Sequence, residues 1–96
     1  MGLKQYGQEE ILLENGKHSD LLYFLECFPD REEDQRYGIH IKKQIDNKIV
    51  EQESSGGFSS DEEVAKTILE VMKRNQITPR VLQEVLYDFL IERIGR

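Results

Sequence analysis

The sequence predicts an α+β fold, in which a four-stranded antiparallel sheet, a meander of two hairpins, precedes a C-terminal antiparallel helical hairpin packed on one face. Two observations carry this prediction. Before Gly56-Gly57, apolar residues alternate every second position, as in Tyr37, Ile39 and Ile41, which is the period of a half-buried strand. After the two glycines, apolar residues recur every three or four positions, which is the period of an amphipathic helix.

The length and composition indicate one domain. The 96 residues are assigned to a single domain, 1–96, because the chain is too short for two independent cores. Residues 1–55 are predicted to form the sheet, 60–75 the first helix and 79–94 the second helix. A hydrophobic share of 38% and a charged share of 33% are typical of a small, very soluble domain with a thin core.

The first hairpin is predicted from Asn15-Gly16, which follows a strand over residues 4–14. Asn-Gly between extended segments is typical of a two-residue type I′ turn, because both central residues of that turn need positive φ. Such a turn would place Glu14 opposite Lys17, where the opposite charges would stabilise the pair.

The second strand is predicted over residues 20–28, where apolar residues fall on both faces. A strand that is apolar on both sides is central, or lies beneath helices and also against a partner. A helix capped by Ser19-Asp20 is the alternative for this segment. Pro29 ends the element because it has no amide hydrogen to donate. Cys27 is expected to be a buried and unreactive thiol.

The second hairpin joins a strand over residues 36–45 to a return strand over 48–53. A two-residue loop between them would pair Lys42 with Glu51. A three-residue loop would instead pair Lys43 with Glu51. Both registers place opposite charges across the ladder, so both alternatives stay open.

The helical half begins after a flexible connector over residues 54–59. Ser60 and Glu63 form a capping box, which predicts the start of the first helix. Thr78 is predicted to cap the second helix, with Pro79 at the first position, where a missing amide hydrogen is tolerated. The connection between the helices is short, which predicts an antiparallel helical hairpin.

The charge balance and the apolar runs exclude several classes of partner. The net charge is −6, so direct nucleic-acid binding, which needs clustered Lys and Arg, is not expected. The longest unbroken apolar run, Leu21 to Leu25, is far too short to span a bilayer, so no membrane association is expected. A single cysteine and the lack of a visible secretory signal indicate a cytoplasmic protein.

No catalytic residue, cofactor or metal site is predicted. His18, His40 and Cys27 follow no spacing of metal ligands, and the two histidines are interpreted as surface residues. Glu26 comes nearest to a buried acid, but it is interpreted as an edge or loop-proximal residue.

The residues predicted to bind a partner form two groups. Tyr87 and Ile91 are four residues apart on a flank of the second helix, and with Ile94 they would supply apolar contact area. The second group is acidic, and it would steer the chain toward a basic protein surface. Its members are Asp30, Glu32, Glu33, Asp34, Glu51, Glu53, Asp61 and Glu62.

Two stretches suggest a family. They are Tyr-Gly-Ile-His-Ile at 37–41 with the hairpin after it, and the segment from Thr-Pro-Arg-Val-Leu at 78–82 through Asp-Phe-Leu at 88–90. Together they resemble a family of short, uncharacterised Firmicutes proteins of unknown function, over residues 35–90. The resemblance implies a cytoplasmic bacterial or mobile-element protein. It carries over no functional residue and implies no activity.

Three functions are compatible with these features. The leading hypothesis is a non-enzymatic module that binds and modulates another protein, with a second copy of the chain as a further occupant of the contact face. The alternative is a phage or mobile-element inhibitor that mimics the charge of a nucleic acid, as some anti-CRISPR proteins do. The third hypothesis, from a different class, is a small enzyme that uses Glu26 or His40.

Overall fold

A four-stranded antiparallel sheet in the order β1-β2-β3-β4 forms the first half of the molecule. The computed structural model describes residues 2–13, 15–29 and 35–94, with side chains up to Ile91. The strands are β1 (Gly2–Leu12), β2 (His18–Pro29), β3 (Gln35–Ile45) and β4 (Lys48–Ser54). The predicted meander of two hairpins is confirmed, although β1 lies two residues earlier than the predicted strand over 4–14.

The first hairpin differs from the prediction at its turn. The Leu13 amide donates to the Lys17 carbonyl at 2.7 Å, so three residues separate the paired positions, and the predicted two-residue turn is wrong. The side chain of Asn15 accepts the Lys17 amide at 3.0 Å, and Gly16 takes a φ of 80°, which is typical of three-residue hairpin loops. The backbone partner of Lys17 is therefore Leu13, and Glu14 lies outside the described residues.

β2 is a strand, and the helical alternative for this segment is wrong. It is central in the sheet, between β1 and β3, which explains why both of its faces are apolar. Leu21 and Tyr23 are fully buried beneath the helices, while Phe24 is half-buried on the opposite face. Cys27, predicted to be buried, is only half-buried near the end of the strand, where its thiol donates to Gln35 Oε1 at 3.4 Å.

The second hairpin combines the two registers that the sequence leaves open. Its turn has two residues, Asp46 and Asn47, with φ values of 52° and 64°, as a type I′ turn requires. Beyond the turn, Val50 is an extra residue in β4, and this bulge shifts the pairing by one. Lys43 therefore pairs with Glu51, as in the three-residue alternative, and the Nζ–Oε1 distance is 3.8 Å.

The helices bury one face of the sheet. Helix α1 (Glu62–Arg74) lies on β1, β2 and β3, while a short 3-10 helix (Pro79–Val81) lies on β3 and β4 and leads into α2 (Leu82–Ile94). The α+β class is confirmed, whereas the predicted antiparallel packing of the two helices on one another is not. The core consists of Leu21, Tyr23, Leu25, Ile39, Ile41, Ala65, Ile68, Leu69, Met72, Leu82 and Leu86.

Helix α1 begins one residue later than the capping box predicts. Its N-cap is Asp61, whose Oδ1 accepts the Glu63 amide at 3.0 Å, so the prediction of Ser60 as the cap is wrong. Both residues are good caps, and a carboxylate has the additional advantage of its charge at the positive end of the helix dipole. The Ser59 hydroxyl accepts the Asp61 amide at 3.0 Å, which orients the cap.

The second helix also starts differently from the prediction. Thr78 occupies the N-cap position, but its side chain makes no capping hydrogen bond, so the predicted side-chain cap is wrong. The first turn after it, which holds Pro79, is a 3-10 helix, and the α-helix begins only at Leu82. Pro79 is buried, so packing as well as its missing amide hydrogen places it here.

Removing the observed cap gives the first testable prediction. Asp61→Ala should lower the free energy of unfolding by about 1 kcal/mol, because the Glu63 amide loses its acceptor. Ser60→Ala is the matched control and should leave stability unchanged. Urea unfolding of both variants, followed by circular dichroism, measures the difference. Equal effects of the two substitutions would contradict the assignment of Asp61 as the cap.

Candidate functional site

An open apolar groove runs between α2 and the connector that follows β4. Its volume is about 500 Å³, and its lining comes from two stretches of the chain. The Gln83 side chain donates to the Ser54 carbonyl at 2.8 Å, which ties the first turn of α2 to the end of β4. The lining residues are Ser55, Phe58, Gln83, Glu84, Leu86, Tyr87 and Leu90.

Helix α2 has a buried side and an exposed apolar flank, as the sequence predicts. Leu82 and Leu86 are buried in the core. Tyr87 and Ile91 are 64% and 46% exposed, which is unusual for two large apolar side chains that lie one turn apart. Tyr87 also lines the groove, so the exposed flank and the groove form one continuous surface. The side chain of Ile94, the third predicted contact, lies outside the described residues.

Acidic side chains flank this surface. Glu84 lines the groove, and Asp88 lies one turn further along α2; both are exposed. Between Leu82 and Ile91, no described residue of α2 is basic. The groove therefore presents an apolar floor with a negatively charged border, and a basic partner surface would complement it.

The predicted acidic residues lie on separate elements. Asp30, Glu32, Glu33 and Asp34 lie outside the described residues. Of the others, Glu51 and Glu53 lie on β4, while Asp61 and Glu62 lie at the start of α1.

The described acidic residues have partners within the protein. Glu51 lies 3.8 Å from Lys43, and Glu62 lies 3.3 Å from Lys66. Asp61 caps α1, as described above. These partners offset part of the negative charge that a mimic of nucleic acid would present.

A polar cluster on the sheet face opposite the helices was missed by the sequence reasoning. The register of β2, β3 and β4 brings together Glu26, His40 and Ser54. Glu26 and His40 are each only 14% exposed, so the interpretation of His40 as a surface residue is wrong. Glu26 lies near the end of the central strand β2, so it is loop-proximal, and the alternative of an edge residue is wrong. Only the strand register could have revealed the cluster, and the sequence left part of that register open.

The hydrogen bonds of this cluster tie the three strands together. The Ser54 hydroxyl donates to Glu26 Oε1 at 2.5 Å, and His40 Nε2 lies 3.0 Å from Gln52 Oε1. His40 Nδ1 lies 3.8 Å from Glu26 Oε1 and has no hydrogen-bond partner among the described residues. The serine hydroxyl thus donates to the carboxylate and not to the imidazole, which differs from the order of groups in an activated serine nucleophile.

Three further features were considered in the described part of the chain: a metal site, His18 and membrane-spanning helices. Across residues 2–13, 15–29 and 35–94, no group of three His, Cys, Asp or Glu side chains could hold a metal ion. His18, the other predicted surface histidine, is exposed, and its Nδ1 lies 2.9 Å from Glu10 Oε1. No helix among these residues is long and apolar enough to cross a membrane.

The comparisons with known proteins identify the family of this chain. Neither the curated proteins nor the solved structures contain a match to it. A family model does match, over residues 4–92, which includes the N-terminal hairpin that the resemblance at 35–90 did not cover. The chain therefore belongs to a family of unknown function, DUF6514.

Proposed function

We propose that this protein is a small module that binds another protein through the exposed flank and groove of α2. The observation that carries the proposal is the exposure of Tyr87 and Ile91, at 64% and 46%, beside an open apolar groove of about 500 Å³. Large apolar residues that lie together on the surface of a small soluble domain are typical of interaction sites. Tyr in particular is frequent among the residues that dominate binding energy.

The chemistry of the surface defines the partner. An apolar side chain of the partner would enter the groove above Phe58 and Leu90. Lys or Arg residues on either side of that anchor would meet Glu84 and Asp88 at the border. At low salt, the net charge of −6 would speed the association of a basic partner with the protein and slow the dissociation of the complex.

Two other functions stay predictions. Mimicry of nucleic-acid charge has the net charge of −6 in its favour, but lysines lie within 4 Å of Glu51 and Glu62. Mimicry would be supported if the affinity for the partner fell steeply with rising salt concentration and did not change when Ile91 was substituted. An enzyme would use the cluster of Glu26 and His40, and substitution of either residue would then abolish turnover without affecting partner binding.

Charge placed in the exposed flank gives the second prediction. Ile91→Asp should weaken partner binding by at least about tenfold, because a carboxylate replaces an apolar contact in the interface. Affinity capture from extracts of the native host identifies the partner, and titration of the purified partner measures the dissociation constant. Circular dichroism should show an unchanged fold, since Ile91 is 46% exposed.

The matched control is Ile49→Asp. Ile49 is 44% exposed, nearly the same as Ile91, but it lies on β4 rather than on α2. The control protein should bind the partner as the wild type does. If both substitutions weaken binding equally, or if neither does, the α2 surface is not the binding site.

A further inference from the structure

Strand β1 and helix α1 together form a second surface, at the edge of the sheet away from β4. Within the part of the chain that the structure describes, β1 pairs only with β2, so one side of its backbone faces away from the sheet. A cavity of about 320 Å³ lies between Tyr6 of β1 and the outer flank of α1, and another of about 240 Å³ lies between Tyr6 and Lys66. Both cavities open where a neighbouring chain could enter.

The free edge of β1 is complementary to itself. A bulge at Tyr6 divides the strand into two regularly paired segments, 2–5 and 7–12. Lys4 and Glu9 lie on the helix-covered face, because they pair with Leu25 and Leu21. Two copies of β1 can pair antiparallel along this edge. In one register, residues 2–5 of one copy lie opposite residues 8–11 of the other. This register keeps the helix-covered faces of the two strands on the same side, both before and after the bulge. In this register, Lys4 of each copy lies opposite Glu9 of the other, and the pair occurs twice.

The outer flank of α1 is also complementary to its own copy. Glu63, Lys66, Glu70 and Arg74 follow one another at helical spacing and line the larger cavity. Their charges alternate in sign along the helix. Antiparallel alignment of this row with its own copy therefore opposes every charge with its opposite, Glu63 with Arg74 and Lys66 with Glu70.

One two-fold axis satisfies both patterns. The strand register is centred between Tyr6 and Gly7, and the helix row is centred between Lys66 and Glu70. These two centres lie close together, because Tyr6, Lys66 and Glu70 line the same cavity. The nearby carboxylate of Glu70 also raises the pKa of Tyr6. The Lys73 side chain also passes directly over Gly7.

We propose that two copies of this chain associate through β1 and the outer flank of α1, forming a continuous eight-stranded antiparallel sheet with both α1 helices on the same face. A two-fold axis perpendicular to the sheet keeps the helix-covered faces together, so the two α1 helices run side by side and antiparallel. The interface is isologous, and it leaves both α2 grooves free at the outer ends. The dimer therefore does not depend on the partner binding proposed for α2.

The dimensions of the sheet allow this arrangement. Neighbouring strands lie about 4.8 Å apart, so two helices that each lie over their own β2 are roughly 14 Å apart in the dimer. Long Lys, Arg and Glu side chains that extend from both helices bridge such a gap, and the two Tyr6 rings fill its floor. Lys66 is already oriented along this flank by Glu62, at 3.3 Å.

Reciprocal charge reversal tests the dimer. Lys66→Glu alone sets carboxylates against carboxylates across the axis, and Glu70→Lys alone sets amines against amines. Each variant alone should self-associate at least about tenfold more weakly than the wild type, while an equal mixture of the two should regain the dimer as a heterodimer. Sedimentation velocity on the 96-residue chain measures the association, with circular dichroism as the test of folding.

A second pair and a control complete the experiment. Lys4→Glu and Glu9→Lys reverse the charges on β1 and serve if the helix variants fail to fold. Each alone should weaken self-association, and an equal mixture of the two should restore it. Lys48→Glu, an exposed charge on β4, should dimerise like the wild type. The proposal is overturned if the wild type stays monomeric up to its highest soluble concentration, if the single reversals dimerise normally, or if the mixture gives no heterodimer.

Discussion

Gly38→Ala is expected to destabilise the fold by about 3 kcal/mol, the upper end of the range for an overpacked site. A Cβ atom at Gly38 would overlap the backbone carbonyl of Gly56 and would lie 2.9 Å from Ser55 Oγ. Neither group can move freely, because Ser55 Oγ accepts the Ile39 amide at 2.9 Å and Gly56 holds a φ of 73°. The connector would have to separate from β3 to accommodate the methyl group.

Two other glycines of the sheet provide the controls. Gly2→Ala meets no atom within 4 Å and should leave the urea midpoint unchanged. Gly7→Ala meets carbons of the Lys73 side chain at 2.6 Å, but this chain is flexible, so a small effect of under about 1 kcal/mol is expected. If Gly38→Ala unfolds at the same urea concentration as Gly2→Ala, the close packing of the connector on β3 is wrong.

The contact at Gly38 also shapes the proposed binding site. The connector is held along β3 by a hydrogen bond from the Phe58 amide to the Tyr37 carbonyl, at 3.0 Å. Ser55 and Phe58 then form one wall of the groove, and α2 forms the other. Gly38→Ala should therefore weaken partner binding as well as stability, although residue 38 lies on a strand beneath the connector.

The elements that the sequence predicts well are those with a strong period. Ile39 and Ile41 alternate with polar residues and are fully buried on β3, and Ile68 and Met72 recur at helical spacing and are buried on α1. Periodicity reports which side chains leave water, and burial is the largest favourable term in folding. The exposed flank with Tyr87 and Ile91 follows from the same reasoning, because these residues lie off the main stripe of α2.

The predictions that fail depend on competition between neighbours or on contacts distant in sequence. Ser60 and Asp61 are both good caps, and only the path of the chain selects one of them. The groove needs Phe58 from the connector beside Leu90 from α2, and no local pattern encodes that meeting. The proximity of Glu26 to His40, which are diagonal neighbours on β2 and β3, likewise depends on the register of two strands.

Substitution of Tyr23 is expected to cause the second large loss of stability. Its ring is fully buried in the core, and its hydroxyl donates to the Ile77 carbonyl at 2.9 Å, which links β2 to the segment between the helices. Burial, and to a lesser degree the charge of Glu9, raises the pKa of this hydroxyl above its ordinary value of 10.0. Tyr23→Ala should lower the free energy of unfolding by about 3–5 kcal/mol, and Tyr23→Phe by about 1–2 kcal/mol.

The raised pKa of Tyr23 gives its substitution a distinctive dependence on pH. The folded protein favours the protonated hydroxyl, so its contribution to stability is complete below pH 10 and is lost as the pH rises above that value, by about 1.4 kcal/mol per pH unit. Tyr23→Phe has no proton to lose at this site. The difference in the free energy of unfolding between the wild type and Tyr23→Phe should therefore shrink at this rate above pH 10, as measured by urea unfolding at several alkaline pH values.

The control is Tyr87→Phe, at a residue that is 64% exposed, and its free energy of unfolding should follow that of the wild type throughout. A gap between wild type and Tyr23→Phe that stays constant through this range would mean that the Tyr23 hydroxyl ionises as readily in the folded protein as in the unfolded chain.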